Sequence, residues 1–324
     1  MNGAAQRVLV TGATGSIGRA TVAALLERGH AVVALVRPGA AARAALPAAC
    51  QMREADVLDA TALAREGLRG ERFDAWVSCL ASRTGEPADA WAVDHRAHQQ
   101  LLGLARGHGV RHAVLLSALC VQKPRLAFQH AKLAFEAELQ ASGLRFSIVR
   151  PTAFFKSLSG QLARVQAGKP FLVFGDGRLT ACKPISDRDL ADYLAGCLDD
   201  PARHDRLLPI GGPGPAITPR DQAAMLERLL GRPVRVKSVP VALLDAIAGA
   251  LAVAGRVLPA LRTKAELARI GRYYATESML VWDVARGAYD AEATPEHGRD
   301  TLEAHYARVL RGEVADERRE HAVF

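Results

Sequence analysis

The stretch Arg7-Val8-Leu9-Val10-Thr11-Gly12-Ala13-Thr14-Gly15-Ser16-Ile17-Gly18 decides the fold. An apolar, β-branched run stops at Thr-Gly and restarts as Arg19-Ala20-Thr21-Val22-Ala23-Ala24-Leu25-Leu26, which spaces as a strand, a tight turn and the first turns of a helix. Glycine meets two needs there. The turn takes backbone angles closed to other residues, and a side chain would keep a diphosphate away from the helix N-terminus. A second apolar run, Ala31-Val32-Val33-Ala34-Leu35-Val36, arrives at the distance of a βαβ unit. Gly12, Thr14, Gly15, Ser16, Ile17 and Gly18 are therefore the expected contacts of a dinucleotide.

The end of that second strand selects the dinucleotide. Sites for NAD usually place Asp or Glu there for the ribose hydroxyls, and such an acid repels a 2′-phosphate. This chain has Arg37-Pro38-Gly39, with Arg43 a few residues on. A guanidinium takes a phosphate in bidentate fashion and stacks on adenine, so the expected cofactor is NADPH.

Length and composition narrow the class. A chain of 324 residues, 49% hydrophobic and 23% charged, buries a substantial core and reads as globular. Its net charge of +8 suits a phosphate-bearing cofactor, a carboxylate-bearing substrate or an anionic membrane surface. Nucleic acid is disfavoured, because aromatics are 5% and no dense Lys/Arg run is interleaved with them. Cys50, Cys79, Cys120, Cys182 and Cys197 are widely spaced without a CxxC pair, which fits a reducing cytosol and a cytoplasmic protein. The first strand begins almost at the N-terminus, leaving no room for a leader peptide, and the most apolar later segment, Val241 to Leu261, is broken by Asp245, Gly249, Gly255, Arg256 and Pro259.

Along the chain, strands and helices alternate. Glu54-Ala55-Asp56-Val57-Leu58-Asp59 offers Asp56 as a partner for the adenine, or as the cap of the next helix. The strand Ala75-Trp76-Val77-Ser78 ends where the middle of a dinucleotide lies, which makes Ser78 a cofactor contact. The next helix carries Asp94, His95 and His98, with no partners at metal-binding spacing. His112 to Leu116 is a central strand ending at Ser117, followed by a helix with Phe128 and Lys132, and Phe146 to Arg150 breaks at Pro151. This alternation defines an α/β, doubly wound parallel (Rossmann) sheet whose ligands lie at the carboxyl ends of its strands. The expected division is a cofactor domain over residues 1–155, with residues 184–212 returning to it, and a substrate cap with a C-terminal extension over 156–324. The apolar Val241 to Leu261 segment is expected in a pocket or lid, and the charged tail after Arg311 as a frayed end.

With Gly12-Gly15-Gly18, Ser117 and Lys132 in view, the chain resembles the atypical short-chain dehydrogenase/reductases. Longer motifs sharpen this: Val77 to Arg83, Leu115 to Pro124, Ile148 to Leu158 (IVRPTAFFKSL), Phe174-Gly175-Asp176-Gly177, Ala181 to Ser186 and Ile210 to Gly214 are similar to the NADPH-dependent divinyl chlorophyllide 8-vinyl-reductases, from about Arg7 to beyond Tyr306. The resemblance implies reduction of the 8-vinyl group of a magnesium tetrapyrrole to ethyl, in chlorophyll or bacteriochlorophyll synthesis. The magnesium belongs to the substrate, and peripheral membrane contact suits so greasy a pigment. Classical members of the wider superfamily place a proton-donating tyrosine four residues before the helix lysine. Here that residue is Phe128, which donates nothing, and a C=C bond presents no oxygen to protonate.

The roles that follow from the resemblance are these. Lys132 bonds the nicotinamide ribose, Ser117 orients the nicotinamide or a bound water, and the backbone at Pro151-Thr152 meets the carboxamide. Phe154, Phe155 and Lys156 stack on the tetrapyrrole and pair with its propionate, or the two phenylalanines belong to the core. Cys182 and Lys183 are further substrate contacts. Tyr274 is the first choice for proton donor, with Tyr273, Cys120, Cys182 and Lys183 as other options. Two other classes stay open: a non-catalytic NADP(H)-binding sensor or assembly protein, which loss of the tyrosine also marks, and an isoflavone-reductase-like reductase of small aromatics, for which the longer motifs would be coincidental.

Overall fold

A computed structural model describes residues 4–39, 46–258 and 260–314 of the chain. Arg43 and the end of the charged tail lie outside the described residues. The strands are β1 (Arg7–Thr11), β2 (Ala31–Val36), β3 (Gln51–Glu54), β4 (Ala75–Ser78), β5 (His112–Leu116), β6 (Arg145–Pro151), β7 (Phe171–Phe174), β8 (Arg206–Ile210), β9 (Val236–Val239), β10 (Val281–Asp283) and β11 (Ala288–Asp290). The chain divides into two compact units. The first is Met1–Arg83, Pro87–Pro151 and Asp187–Pro209; the second is Thr84–Glu86, Thr152–Ser186 and Ile210–Phe324.

The first unit is built on a seven-stranded sheet of order β3-β2-β1-β4-β5-β6-β8. Neighbours from β3 through β6 pair in parallel. Parallel strands covered on both faces must be apolar throughout, and Val8, Leu9, Val10, Ala34 and Val77 are fully buried. Strand order reverses between β1 and β4, where Thr11 pairs with Ser78. In a doubly wound sheet the ligand crevice opens at such a switch point, beyond the carboxyl ends of the strands. The core on one face joins Leu9, Trp76, Leu101, Phe135, Leu139 and Ile148. The helix Asp187–Gly196 packs on the first helix, Ser16–Glu27, and Arg28 ties the two regions through Asp192 at 2.7 Å and Asp199 at 3.3 Å.

The second unit contains two small sheets, β7-β9 parallel and β10-β11 antiparallel. The helix Pro219–Leu230 starts at Thr218, whose hydroxyl accepts from the Asp221 N–H, and stops at Gly231 in the left-handed region. Val241–Val257 is a helix folded back on Ala260–Thr276. Tyr306, fully buried on the helix Leu302–Leu310, donates its hydroxyl to Leu158 O at 2.7 Å. Among the described residues no helix is long and apolar enough to cross a membrane.

Candidate functional site

The loop after β1 is a cradle whose shape only glycine allows. Gly12 has φ +71°, and a Cβ there would lie 2.4 Å from the Cys79 carbonyl carbon and 2.5 Å from Leu80 N. A Cβ on Gly18 would lie 2.1 Å from Gly12 O, so the helix and the turn touch backbone to backbone. Gly15 differs: among the described residues a Cβ would meet only Gly12 O, at 3.6 Å. Gly15 also caps Ser16–Glu27 without a side chain to bond the first-turn N–H groups. Those orphan donors and the helix dipole form an anion site that fits the diphosphate of a dinucleotide. Thr14 and Ser16 are half-buried around it, Ile17 is buried, and Arg19 steadies the turn by donating to Thr14 O at 2.9 Å.

Arg37 is exposed just past β2, where a ribose 2′-substituent would be read. Asp56, also exposed, accepts from its own Leu58 N–H at 2.9 Å, and the cap of the following helix is Asp59, which accepts from Thr61 and Ala62. Ser78 is buried, in a one-way chain of hydrogen bonds. The Trp76 indole donates to Thr11 Oγ1 at 3.1 Å, Thr11 donates to Ser78 Oγ at 3.0 Å, and Ser78 lies 2.8 Å from His98 Nε2. His98 turns Nδ1 to the Val93 carbonyl at 2.9 Å, so Nδ1 holds the proton and Nε2 accepts from Ser78. Burial, helped by the Lys132 charge, holds the His98 pKa down to about 4 and the ring neutral.

Two ionic groupings stand behind the strand ends of this unit. Lys132, on the helix Ala127–Gln140, places Nζ 3.0 Å from Asp94 Oδ1. Asp94 is buried; Oδ1 also accepts from Ser82 N at 3.3 Å, while Oδ2 has no hydrogen-bond partner. Ser117, buried just past β5, donates to Glu136 Oε1 at 2.5 Å, and Arg150 donates to the same carboxylate through Nε (3.2 Å) and Nη2. With its proton held there, the Ser117 hydroxyl can act only as an acceptor toward any further partner. Phe128 is half-buried one turn before Lys132. Gln129, fully buried, accepts from Arg125 N and Leu126 N and donates to Cys120 O, tying the loop after Ser117 to the start of the lysine helix. The sequence reading missed Asp94, Glu136, Arg150 and Gln129. Only Glu136, four residues after Lys132, and Gln129, at the third helical position, carry a spacing signal.

In the second unit, Thr152 donates its N–H to Ile210 O at 2.9 Å and its hydroxyl to Lys183 O. Phe154 and Lys156 are half-buried, whereas Phe155 is buried with its ring 5.4 Å from that of His305. Cys182 pairs backbone to backbone with Ile217, and burial pushes its thiol up to about 12. Lys183, also buried, donates to Glu296 Oε1 at 2.6 Å and to Thr294 O at 3.3 Å. Tyr273 is buried and Tyr274 half-buried, their rings perpendicular at 5.6 Å. Among the described residues no cluster of three or more His, Cys, Asp or Glu is placed to hold a metal ion.

The sheet order, the glycine cradle at the switch point and the exposed arginine past β2 together define a Rossmann-fold NAD(P)H-binding protein. The model of a family described as NAD(P)H-binding matches residues 12–201. An NADPH-dependent quinone oxidoreductase from Escherichia coli, solved with NADPH bound, shares the fold with a TM-score of 0.67 at 19% identity, over 94% of this chain and 99% of that one. Within that class, the chain belongs to the family of divinyl chlorophyllide a 8-vinyl-reductases. It is 50% identical over 331 aligned residues to the chloroplastic enzyme of that name from Oryza sativa subsp. indica, covering 98% of this chain and 82% of that protein. The Arabidopsis thaliana enzyme is 44% identical over 95% of this chain and 78% of its own length.

Proposed function

We propose that this protein reduces the 8-vinyl group of divinyl chlorophyllide a, or of divinyl protochlorophyllide, to ethyl with NADPH. The observation that carries this is 50% identity across nearly the whole chain to a reductase of that name. Phe128 adds chemical support: the helix lysine is kept while the phenol that serves carbonyl reduction is missing.

The reaction adds a hydride and a proton across a C=C bond; bound NADPH supplies the hydride, and the macrocycle's conjugation accepts the charge that develops. The glycine cradle and the first-turn N–H groups hold the diphosphate. Arg37 pairs with the 2′-phosphate, and Asp56 and Ser78 line the adenine and the middle of the cofactor. Lys132, kept in place by Asp94, bonds the nicotinamide ribose and contributes a positive potential. Ser117, oriented by Glu136, accepts from the carboxamide or from a bound water, and the backbone at Pro151-Thr152 completes the carboxamide's partners.

The first unit is then the cofactor domain and the second the pigment domain. In the second, Phe154 and Lys156 meet the ring and a propionate; Phe155, Cys182 and Lys183 shape the wall behind them. Tyr274 is the assigned proton source, since the Cys182 thiol is a weak acid at about 12 and Lys183 is committed to Glu296 and Thr294. Contact with a membrane surface belongs to the same reading.

The test is an absorption-monitored incubation with divinyl chlorophyllide a and NADPH, with NADH in parallel. A blue shift of the Soret band coupled to NADPH oxidation, and much less of both with NADH, is the expected result. An unshifted Soret band with NADPH binding intact, beside an active authentic reductase, overturns the reading.

A further inference from the structure

We infer that the helix Val241–Val257 docks flat on an anionic lipid surface, apolar face down, with cations of the helical hairpin among the headgroups. Among the described residues, five of the ten large hydrophobic side chains left exposed fall on this helix and the residue after it: Leu243 (49% exposed), Ile247 (42%), Val253 (63%), Val257 (81%) and Leu258 (56%). They do not scatter. Leu243, Ile247, Ala250, Val253 and Val257 recur at three- and four-residue steps, which puts them on one stripe of a helix. The covered stripe is a different one, Leu244, Ala248, Leu251 and Gly255. At its end the space beside Gly255 is closed by Arg262 of the next helix, 3.4 Å from where a Cβ would be. The helix therefore satisfies its packing with one side and presents a second apolar side to solvent. Soluble surfaces rarely leave so continuous a patch open.

Charge identifies what covers it. Residues 241–276 carry Arg256, Arg262, Lys264, Arg269 and Arg272 against Asp245 and Glu266, a net charge of +3. The carboxylates are neutralised locally: Asp245 lies 2.7 Å from Arg272 Nε, and Glu266 is buried 3.3 Å from Arg269. Arg256, Arg262 and Lys264 are exposed at the end of the hairpin where Val257 and Leu258 also protrude. Among the described residues these three cations are in no ion pair, the nearby Glu86 carboxylate accepting instead from Thr263 Oγ1. Apolar side chains beside such cations fit a bilayer with anionic headgroups; a second copy of this chain would bring the same charges together. At 17 residues the helix is about 25 Å long, too short to span and suited to lying in the interface. This inference places the membrane contact of the proposed function on the hairpin, and it is tested without any pigment chemistry.

Co-sedimentation with vesicles tests it in the absence of pigment and cofactor. Vesicles of phosphatidylglycerol and phosphatidylcholine in equal parts should capture the protein, and phosphatidylcholine alone should capture at least about tenfold less, with binding weakened by salt. The variant Ile247→Glu/Val253→Glu should lose about tenfold or more in anionic-vesicle binding while keeping NADPH binding, which reports the intact fold. Arg256→Glu/Lys264→Glu should reduce the preference for anionic vesicles. Absence of binding, binding indifferent to Ile247→Glu/Val253→Glu, or a dimer in sedimentation velocity that this variant dissolves would overturn the proposal. The last outcome would assign the face to a second copy.

Discussion

Replacing Lys132 by methionine removes a cation and leaves its carboxylate behind. Asp94 has no side-chain exposure and Lys132 has 11%, and without Nζ the remaining hydrogen bond to that carboxylate is the Ser82 N–H at 3.3 Å. Stripping one partner from a buried ion pair costs about 3–5 kcal/mol, and the partial access of water to Lys132 puts this case near the lower value. For a cooperative unit of this size, about 3 kcal/mol is a fall in Tm of about 6–12 °C. Adding Asp94→Asn takes away the stranded charge while keeping an acceptor for Ser82, so the double variant should recover at least about half of the lost Tm. NADPH affinity should not recover with it, because Lys132 itself binds the cofactor in the proposed site. Thermal melts and NADPH titrations on the single and double variants separate the two effects. A Lys132→Met protein that melts within about 2 °C of the parent, or two substitutions whose losses simply add, would refute the coupling. Recovery of NADPH affinity in the double variant would refute the role of Lys132.

Three further outcomes are expected. Arg37→Ala should cut the NADPH-over-NADH ratio of kcat/KM by about 10- to 100-fold, the value of a charge-assisted phosphate contact, and an unchanged ratio would move the 2′-phosphate reader elsewhere. Gly15→Ala, with clear space at its Cβ, should leave Tm close to the parent and weaken NADPH, whereas Gly18→Ala, pressed on Gly12 O, should cost about 1–3 kcal/mol of stability; equal melting of the two would contradict the cradle geometry. His98 and His112 are both held at about 4, chiefly by burial, against an ordinary 6.5. The unfolded chain thus binds more protons between those values, so stability is full above pH 6.5 and falls as pH drops toward 4. His112→Gln should flatten that slope in denaturant titrations at a series of pH values.

The architecture was open to sequence reasoning because its determinants are local. The glycine spacing, the unbroken apolar strands and the residue past β2 each have a meaning within a few positions. Ser117 and Lys132 were legible as a strand end and a helix position, but their partners were not. Asp94 meets Lys132 from 38 positions away on a different helix, and no pattern announces the meeting. Glu136 lies one turn past Lys132, where spacing suggests a surface pair. Burial instead sends the lysine to Asp94 and the glutamate to Ser117 and Arg150. Ile210 to Gly214 entered as a motif of the resemblance; in the structure a Cβ on Gly212 would sit 2.0 Å from Pro184 O, a backbone approach no composition rule encodes. The segment from Val241 read as apolar, part of a pocket or lid and too interrupted to span a bilayer, with no element assigned; glycine inside a helix costs only about 1 kcal/mol, and a helix runs through Gly249 and Gly255 to Val257.

The hydrogen-bond chain from Trp76 through Thr11 and Ser78 to His98 makes the indole a candidate optical gauge within the first unit. Its N–H is anchored to the last residue of the strand that enters the glycine cradle, and its ring lies 6.0 Å from that of His98 and 6.2 Å from that of Phe135. Indole emission overlaps dihydronicotinamide absorption, so NADPH held in the cradle should quench the buried Trp76. Trp91, which is exposed, and Trp282, which lies in the second unit, respond to different surroundings. A protein with Trp76 as its one indole would let cofactor loading be followed without any pigment present.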